Sequence, residues 1–511
     1  MREFRRILQA AGYADCGIVE SMDPSAPIPP LLDEDSPPTS LNTLLRLFDR
    51  EVPVTTEAAA SAFAPLTVAD LVEAGFVRQE GAKVSSNVQI EPYQDLLLVH
   101  PWGHEDEHSA MAISRSSLEL ANFTVRAPLR TTLDLGTGSG FQAMLAATHS
   151  EQVYAVDVNP LAIQSAEFNC VWNETRNIAC LQGNLFDPIA SQKFDLIVTN
   201  PPFVISPSAQ VRYRDSGVRG DQFCLTLARE AARFLNEDGY FQMIFQWIET
   251  AGEDWRDKLS TAFSGLGCDV WVLRLFSLSP DPYVWAWLLE SDGKPSPGTV
   301  SRLEWLRYLE ELETQSIGTG LLILQRVSNR RNSLWFDESP DDRCQPYGAH
   351  IPGVLDIRRF VQEQTDSSLL GQKLVASPHL RMTQKSRLGY DAGERQSVGP
   401  LFGPNWRSTS AEFELEKGAR YFFDNVDAVL ARLVAGCDGK HRLHEIFEAA
   451  AAESGIPLAD LTTKYLGEIR ELIQYAFLLP AATAISKSRT SSSSRPSASL
   501  DRSNIGTPFL D

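Results

Sequence analysis

The chain has 511 residues, a hydrophobic fraction of 43% and a formal net charge of −20 at pH 7. This length predicts roughly three domains with ample apolar content for packed cores. The acidic balance argues against broad electrostatic binding of nucleic acid, which relies on clustered Lys and Arg, though it leaves room for a local basic face. No apolar run approaches a membrane-spanning length. Met1-Arg2-Glu3-Phe4-Arg5-Arg6 is charged and has no apolar stretch behind it, so no secretory signal is expected. Cys16, Cys170, Cys180, Cys224, Cys268, Cys344 and Cys437 are scattered, with no Cys-x-x-Cys pair. Free thiols in a reducing cytoplasm follow, without a metal site or a disulfide framework.

In chain order, Pro24 to Pro38 reads as a loop rich in Pro and acids. Leu41 to Phe48, Thr56 to Phe63 and Val68 to Phe76 then carry helical patterns, and Val77 to Val88 alternates like a hairpin around Gly81. Three helices and a hairpin make a winged-helix pattern, expected over residues 1–94. In nucleic-acid binders the third helix enters a groove. Here that helix, Thr67 to Gly75, is acidic, which favours a protein contact or a scaffold role. Ser117 to Arg126 bridges into the next span and is expected to cover its ligand.

Thr131 to Leu135 reads as a short buried strand, Gly136-Thr137-Gly138-Ser139-Gly140 as a glycine-rich turn, and Phe141 to Thr148 as a helix. Strand, glycine turn and helix bring a ligand against backbone N–H groups at a helix N-terminus. Val153 to Asp157 is a second buried strand ending in an acid, placed to accept hydrogen bonds from ribose hydroxyls. Asn159 and Pro160 start a helix running to Trp172. The third strand, Ile178 to Gln182, leads into Gly183-Asn184-Leu185-Phe186. The turn spacing is Gly-x-Gly-x-Gly rather than Gly-x-Gly-x-x-Gly, which disfavours a dinucleotide site, while Asp157 by itself suits either kind of nucleotide.

The run Phe194 to Thr199 ends in Asn200-Pro201-Pro202-Phe203. Two prolines stiffen the backbone, and the residue before a proline is held extended. The Asn amide oxygen and a proline carbonyl, which has no N–H beside it, can then face one point as two acceptors. With an aromatic ring alongside, this suits a planar NH2 group held by both hydrogens and stacked on its flat face. Beyond it, Arg212, Arg214 and Arg219 could meet phosphate or an acidic protein loop, or pair with Asp215 and Asp221. Val211 to Gly220 reads as a rim or lid, and Asp221 as the cap of a helix to Phe234. Gly239 to Phe245, Asp269 to Phe276 and Gly318 to Val327 read as further strands, Thr299 to Leu312 as an amphipathic helix, and Ser279 to Pro297 as a Pro-rich insertion.

Asp134 to Gly140, Val156-Asp157, Gly183 to Phe186 and the Asn-Pro-Pro-Phe tetrad occur in this order on successive strand ends. In this the chain resembles the class I S-adenosylmethionine-dependent methyltransferases, within them the Asn-Pro-Pro-Tyr/Phe amino-methylating group, over roughly residues 95–330. The resemblance implies an α/β fold with a Rossmann-like seven-stranded domain. It implies S-adenosyl-L-methionine as cofactor, its methionine end held by Asp134, Gly136, Thr137, Gly138 and Gly140, its ribose by Asp157 and its adenine by Asn184 and Leu185. Asn200 and Pro201 would grip the acceptor nitrogen and Phe203 would stack on it. The acceptor would be an exocyclic amine of an RNA base or, alternatively, a glutamine amide in a protein such as a translation release factor. A regulator that senses the cofactor without turnover is a further alternative.

Residues 331–400, rich in Asp, Arg, Gly and Pro, read as an irregular connection. Over 401–482 three helical stretches, Asn425 to Ala435, Leu443 to Ser454 and Leu458 to Tyr475, and a closing strand at Ala476 to Pro480 form a second winged-helix-like pattern. The Ser-rich tail 483–511 is expected to be disordered, since it cannot bury enough surface to offset chain entropy.

Overall fold

The computed structural model describes residues 1–16, 39–102, 112–208, 214–289, 300–339, 347–388, 406–415 and 422–481. They fall into two compact units, one formed by Met1–Pro352 and the other by the described residues from Gly353 onward. The predicted loop at Pro24 to Pro38, Arg212, Cys344 and the tail from 483 lie outside the described residues.

The first unit is built on an eight-stranded sheet. Its strands are β1 (Leu129–Leu135), β2 (Ser150–Asp157), β3 (Ile178–Gln182), β4 (Phe194–Thr199), β5 (Leu235–Thr250), β6 (Cys268–Leu278), β7 (Thr314–Arg326) and β8 (Leu334–Glu338). Their order across the sheet is β8-β6-β7-β5-β4-β1-β2-β3. The strands from β3 to β5 are parallel, β7 runs antiparallel to β5 and β6, and β8 runs parallel to β6. The β1–β4 junction, where the winding reverses, is the switch point at which open α/β sheets take ligands. Buried on both faces, the central strands read as apolar runs such as Phe194-Asp-Leu-Ile-Val, which is why their positions were legible.

The expected seven strands are joined by an eighth. Trp335 pairs with Trp271 and Phe336 with Val272, and Trp271 Nε1 donates to the buried Asp337 carboxylate at 2.7 Å. The region 331–400, expected to be irregular, therefore begins with a sheet edge. It continues with helices Ile351–Glu363 and Asp366–Leu370 and strands Lys373–Ala376 and Leu380–Leu388. Two of the charged residues here are buried, Asp337 and Arg358, so charge in this stretch does not mark a loop.

Helices flank the sheet: α1 (Arg115–Phe123), α2 (Phe141–Ala147), α3 (Pro160–Trp172), α4 (Gln222–Ala231), α5 (Trp255–Phe263), α6 (Pro280–Leu289) and α7 (Arg302–Glu311). The described part of the Pro-rich insertion is thus helical. Pro280 and Pro282 sit in the first turn of α6, where a missing N–H leaves no helical hydrogen bond unmade.

Upstream, helices Ser40–Phe48, Thr56–Phe63 and Val68–Glu73 and strands Val77–Glu80 and Lys83–Ser86 stand where the patterns put them. They do not close a core by themselves. Phe4, Phe63 and Phe76 share one apolar cluster with Phe168 and Trp172 of α3, with the Phe76 and Trp172 rings 5.4 Å apart. A second hairpin, Val88–Tyr93 with Leu96–Pro101, follows. The amides of Asn169 on α3 and of Asn173, which caps its C-terminus, bond both the N–H and the C=O of Val99 and Leu97 respectively, which satisfies that strand's free edge.

The second unit holds two three-stranded sheets. One is formed by Lys373–Ala376, Asp438–Arg442 and Leu478–Pro480, the other by Leu380–Leu388, Trp406–Leu415 and Phe422–Phe423. Helices Ala428–Gly436, Leu443–Ser454 and Leu458–Gln474 pack with the first, near the predicted positions.

Candidate active site

All the candidate residues lie at the carboxyl edge of the parallel strands. The glycine turn leaves β1, Asp157 ends β2, Asn184 and Leu185 follow β3, and the tetrad follows β4. Thr199 Oγ1 donates to Leu135 O at 2.8 Å, which ties the tip of β4 to the tip of β1 across the switch point.

Gly136, Gly138 and Gly140 have φ values of +70°, +56° and +87°, a region open to glycine at little cost. The N–H groups of Gly136 and Thr137 both donate to Val156 O, at 2.8 and 3.1 Å, so the turn is fastened to β2. Gly138 N donates to Asp157 Oδ2 at 3.0 Å, and Asn159 N donates to Oδ1 at 2.9 Å. These bonds fix the Asp157 carboxylate beside the turn. Burial raises its pKa above the usual carboxylate value, and the backbone donors partly counter this.

Asp134 faces inward. It is 1% exposed, and its Oδ2 accepts from Thr137 Oγ1 at 2.6 Å and from Ala143 N, in the first turn of α2, at 3.0 Å. Desolvation pushes its pKa up to about 7 despite those two donors. Asp134 thus braces the turn against α2. After β3, Leu185 is held at φ +46°, a left-handed conformation that costs a non-glycine residue of the order of 1–2 kcal/mol. Asn184 beside it is exposed.

At the tetrad, Asn200 Nδ2 donates to Ser116 Oγ and to Ser117 Oγ, both at 3.0 Å. Both serines lie in the first turn of α1. Asn200 Oδ1 is buried and has no hydrogen-bond partner among the described residues. Pro201 is buried and Phe203 half-buried. The Phe203 ring meets Trp287 of α6 edge-on, 6.2 Å between centroids.

The chain beyond Phe203 is stitched to the helical insertion. Ile205 N donates to Tyr283 Oη at 2.9 Å, and Trp305 Nε1 donates to Ile205 O at 3.1 Å. Tyr283 Oη in turn donates to Gln246 Oε1 at 2.8 Å. Arg214 pairs with the buried Asp215 at 2.9 Å and lies over the Trp305 and Trp287 rings at 5.4 and 6.0 Å. Arg219 pairs with Glu311 at 3.3 Å, and Arg302 pairs with Asp281. Asp221 serves otherwise than expected. It makes no side-chain cap to α4, and accepts instead from Ile248 N at 2.9 Å and Lys258 Nζ at 2.6 Å.

Sequence reasoning did not single out Ser116, Trp287 or Tyr283. Ser114 is a legible N-cap, but nothing local ties residue 116 to residue 200. A cleft of about 520 Å3 opens at the opposite strand ends, beside Arg130, Asp195 and Glu237, and holds none of the candidate residues. Among the described residues, no group of three or more His, Cys, Asp or Glu side chains is placed to hold a metal, and no helix is long and apolar enough to cross a membrane.

Residues 108–253 match the methyltransferase small domain family. Over this segment the chain is similar to that family. Residues 10–87 match a domain of unknown function, DUF7059. The tRNA1(Val) (adenine(37)-N6)-methyltransferase of Actinobacillus pleuropneumoniae serotype 5b is 34% identical over 120 residues, 22% of this chain and 51% of that protein. The release factor glutamine methyltransferase of Geobacter sulfurreducens is 33% identical over 134 residues, 23% of this chain and 46% of that protein. The chain therefore spans about half the length of these curated relatives. Among solved structures, the ribosomal protein L11 methylase of Lactobacillus delbrueckii subsp. bulgaricus is 22% identical, with a TM-score of 0.23 over 41% of this chain and 76% of that one. The matched segment contains α1, the glycine turn, Asp157 and the tetrad. The helical insertion and the DUF7059 segment lie outside it.

Proposed function

We propose that the chain is an S-adenosylmethionine-dependent N-methyltransferase that modifies a planar amino nitrogen, in the first reading an exocyclic amine of an RNA base. The observation that carries this is Asn200, whose amide hydrogens are spent on Ser116 and Ser117 while its buried oxygen lacks a partner among the described residues. A buried acceptor without a donor costs about 1–3 kcal/mol. An incoming NH2 group would satisfy it.

The residues at the strand tips fit the cofactor. Gly136 has φ +70°, and a Cβ built there meets nothing within 4 Å, so the backbone stands open where the methionine end would lie. Asp157, pinned by two backbone N–H groups, would accept from the ribose hydroxyls. Leu185, held left-handed, and Asn184 would border the adenine. When bound, the cofactor supplies an electrophilic methyl on a sulfonium.

The chain's own part is positioning and electrostatics. An amide or nucleobase NH2 is a poor nucleophile because its lone pair is delocalised. Asn200 Oδ1 and the Pro201 carbonyl, drawing on both hydrogens, favour a pyramidal nitrogen and stabilise the positive charge that develops on it. Phe203, braced by Trp287, would fix the plane of the acceptor, so that alignment supplies much of the rate. No titratable side chain stands within the tetrad, and the surplus proton would leave to solvent after transfer.

The relative named for a tRNA adenine and the aromatic pair Phe203–Trp287, a surface suited to stacking a base, support the RNA reading. The glutamine reading has its own support. Arg214, Arg219 and Arg302 at this corner are each paired with a carboxylate, so none stands ready for phosphate. Tritiated S-adenosylmethionine incubated with the protein and whole-cell extract tests both. Label that resists protease and is lost to ribonuclease supports the base. The reverse supports glutamine, and cofactor binding in calorimetry without transfer would identify a sensor instead of an enzyme.

A further inference from the structure

Ser114, Ser116 and Ser117 form a hydroxyl cluster at the start of α1. The Ser114 Oγ accepts from Ser117 N at 3.1 Å and lies 2.9 Å from each of Ser116 Oγ and Ser117 Oγ. The last two each accept from Asn200 Nδ2 across 84 and 83 residues of sequence. Resting on the N-methyltransferase reading, we infer that Ser116 and Ser117 are positioning residues that fix the polarity of the Asn200 amide and make the site selective for an amino group over a carbonyl.

An asparagine amide is nearly the same shape either way round, so its surroundings decide which end faces a ligand. Counting donors decides it here. Ser114 Oγ has two lone pairs and one hydrogen. One lone pair is used by Ser117 N–H. The other takes a hydrogen from one neighbouring serine, and the Ser114 hydrogen goes to the other. At most one of Ser116 and Ser117 then retains a free hydroxyl hydrogen. With nitrogen toward the serines the amide makes two hydrogen bonds; reversed, it makes at most one. The serines therefore hold Oδ1 toward the acceptor as a pure hydrogen-bond acceptor. That arrangement suits the NH2 of a base or of glutamine and meets a carbonyl oxygen or a carboxylate lone pair to lone pair. Without the cluster the amide turns freely, and in half its orientations it presents N–H to N–H.

The test uses the full chain labelled with 15N-asparagine, with the Asn200 side-chain signal assigned from the Asn200→Ala protein. In the unaltered chain the Asn200 NH2 should exchange with D2O at least tenfold more slowly than in the Ser116→Ala/Ser117→Ala chain. In tritium transfer to whole-cell extract, the alanine pair should lower the limiting rate at least tenfold, while the extract concentration at half-maximal rate and the S-adenosylmethionine Kd stay within twofold. Ser116→Thr/Ser117→Thr, which keeps both hydroxyls, should recover most of the rate. Unchanged exchange, or a limiting rate unmoved by the alanine pair, overturns the inference. Should the unaltered chain transfer no label, the N-methyltransferase reading fails, and the exchange rates alone decide whether the serines hold the amide.

Discussion

Asn200→Ala separates function from stability, and the size of each effect follows from the contacts. Truncation loses two hydrogen bonds to serine hydroxyls, about 1–3 kcal/mol at the usual net value per bond. It also removes a buried oxygen without a partner among the described residues, which returns about 1–3 kcal/mol. The two terms have opposite sign and similar size, so the urea midpoint of the sheet unit should move little. Transfer should fall about 100-fold or more, the usual consequence of removing one preorganised polar group that stabilises a transition state. Asn169 is the control. It is fully buried, and its amide makes three bonds, from Val99 N and to Val99 O and Ser139 O. Asn169→Ala leaves those three backbone groups unpaired, and should cost about 3 kcal/mol or more. Urea titration followed by tryptophan fluorescence, with single-turnover transfer on the same samples, measures both. The reasoning is refuted if Asn200→Ala destabilises as much as Asn169→Ala, or transfers methyl at the unaltered rate.

Burial raises the Asp134 pKa from 3.8 to about 7, so ionising it weakens the native state. Its stabilising contribution is complete below about pH 4 and is lost as pH rises through about 7. Asp134→Asn, which cannot ionise, should lack that component, and parallel urea-midpoint profiles for the two proteins between pH 4 and 8 would contradict this. At the glycine turn, Gly140→Ala would press a methyl to 3.3 Å from Ala166 at φ +87°, whereas Gly136→Ala meets no atom within 4 Å at φ +70°. Thermal unfolding should therefore show the larger loss for Gly140→Ala, while Gly136→Ala stays folded and weakens S-adenosylmethionine binding in calorimetry. Trp287→Ala removes the ring against Phe203. It should raise the acceptor KM and leave the cofactor Kd unchanged, and a matched loss of cofactor affinity would place Trp287 at a different site.

Much of the sheet around the candidate site was legible because its signals are local. Phe194 to Thr199 is apolar over a strand's length, Gly136 to Gly140 carries the glycines that positive φ requires, and Asn159-Pro160 announces a helix start within two residues. The predicted strands Ile178 to Gln182 and Phe194 to Thr199 coincide with the observed bounds. Non-local features were hidden. β8 is five residues that form a strand only because Val270 to Arg274 offers an open parallel edge. Asp221 resembles a cap in sequence, yet its carboxylate is claimed by Ile248 N and Lys258, partners that only packing delivers.

By itself the sequence determined which residues end the strands at the carboxyl edge, because turn chemistry and burial period are written within a few neighbouring positions. Tertiary structure decided how those residues are held. It turned Asp134 inward to brace the helix, set Trp287 behind Phe203, and brought two serines from 84 and 83 positions upstream to the Asn200 amide. The reason is physical: a side chain's conformation is local, but its hydrogen-bond partner is whichever group the folded core carries to within 3 Å, and no window of sequence contains both.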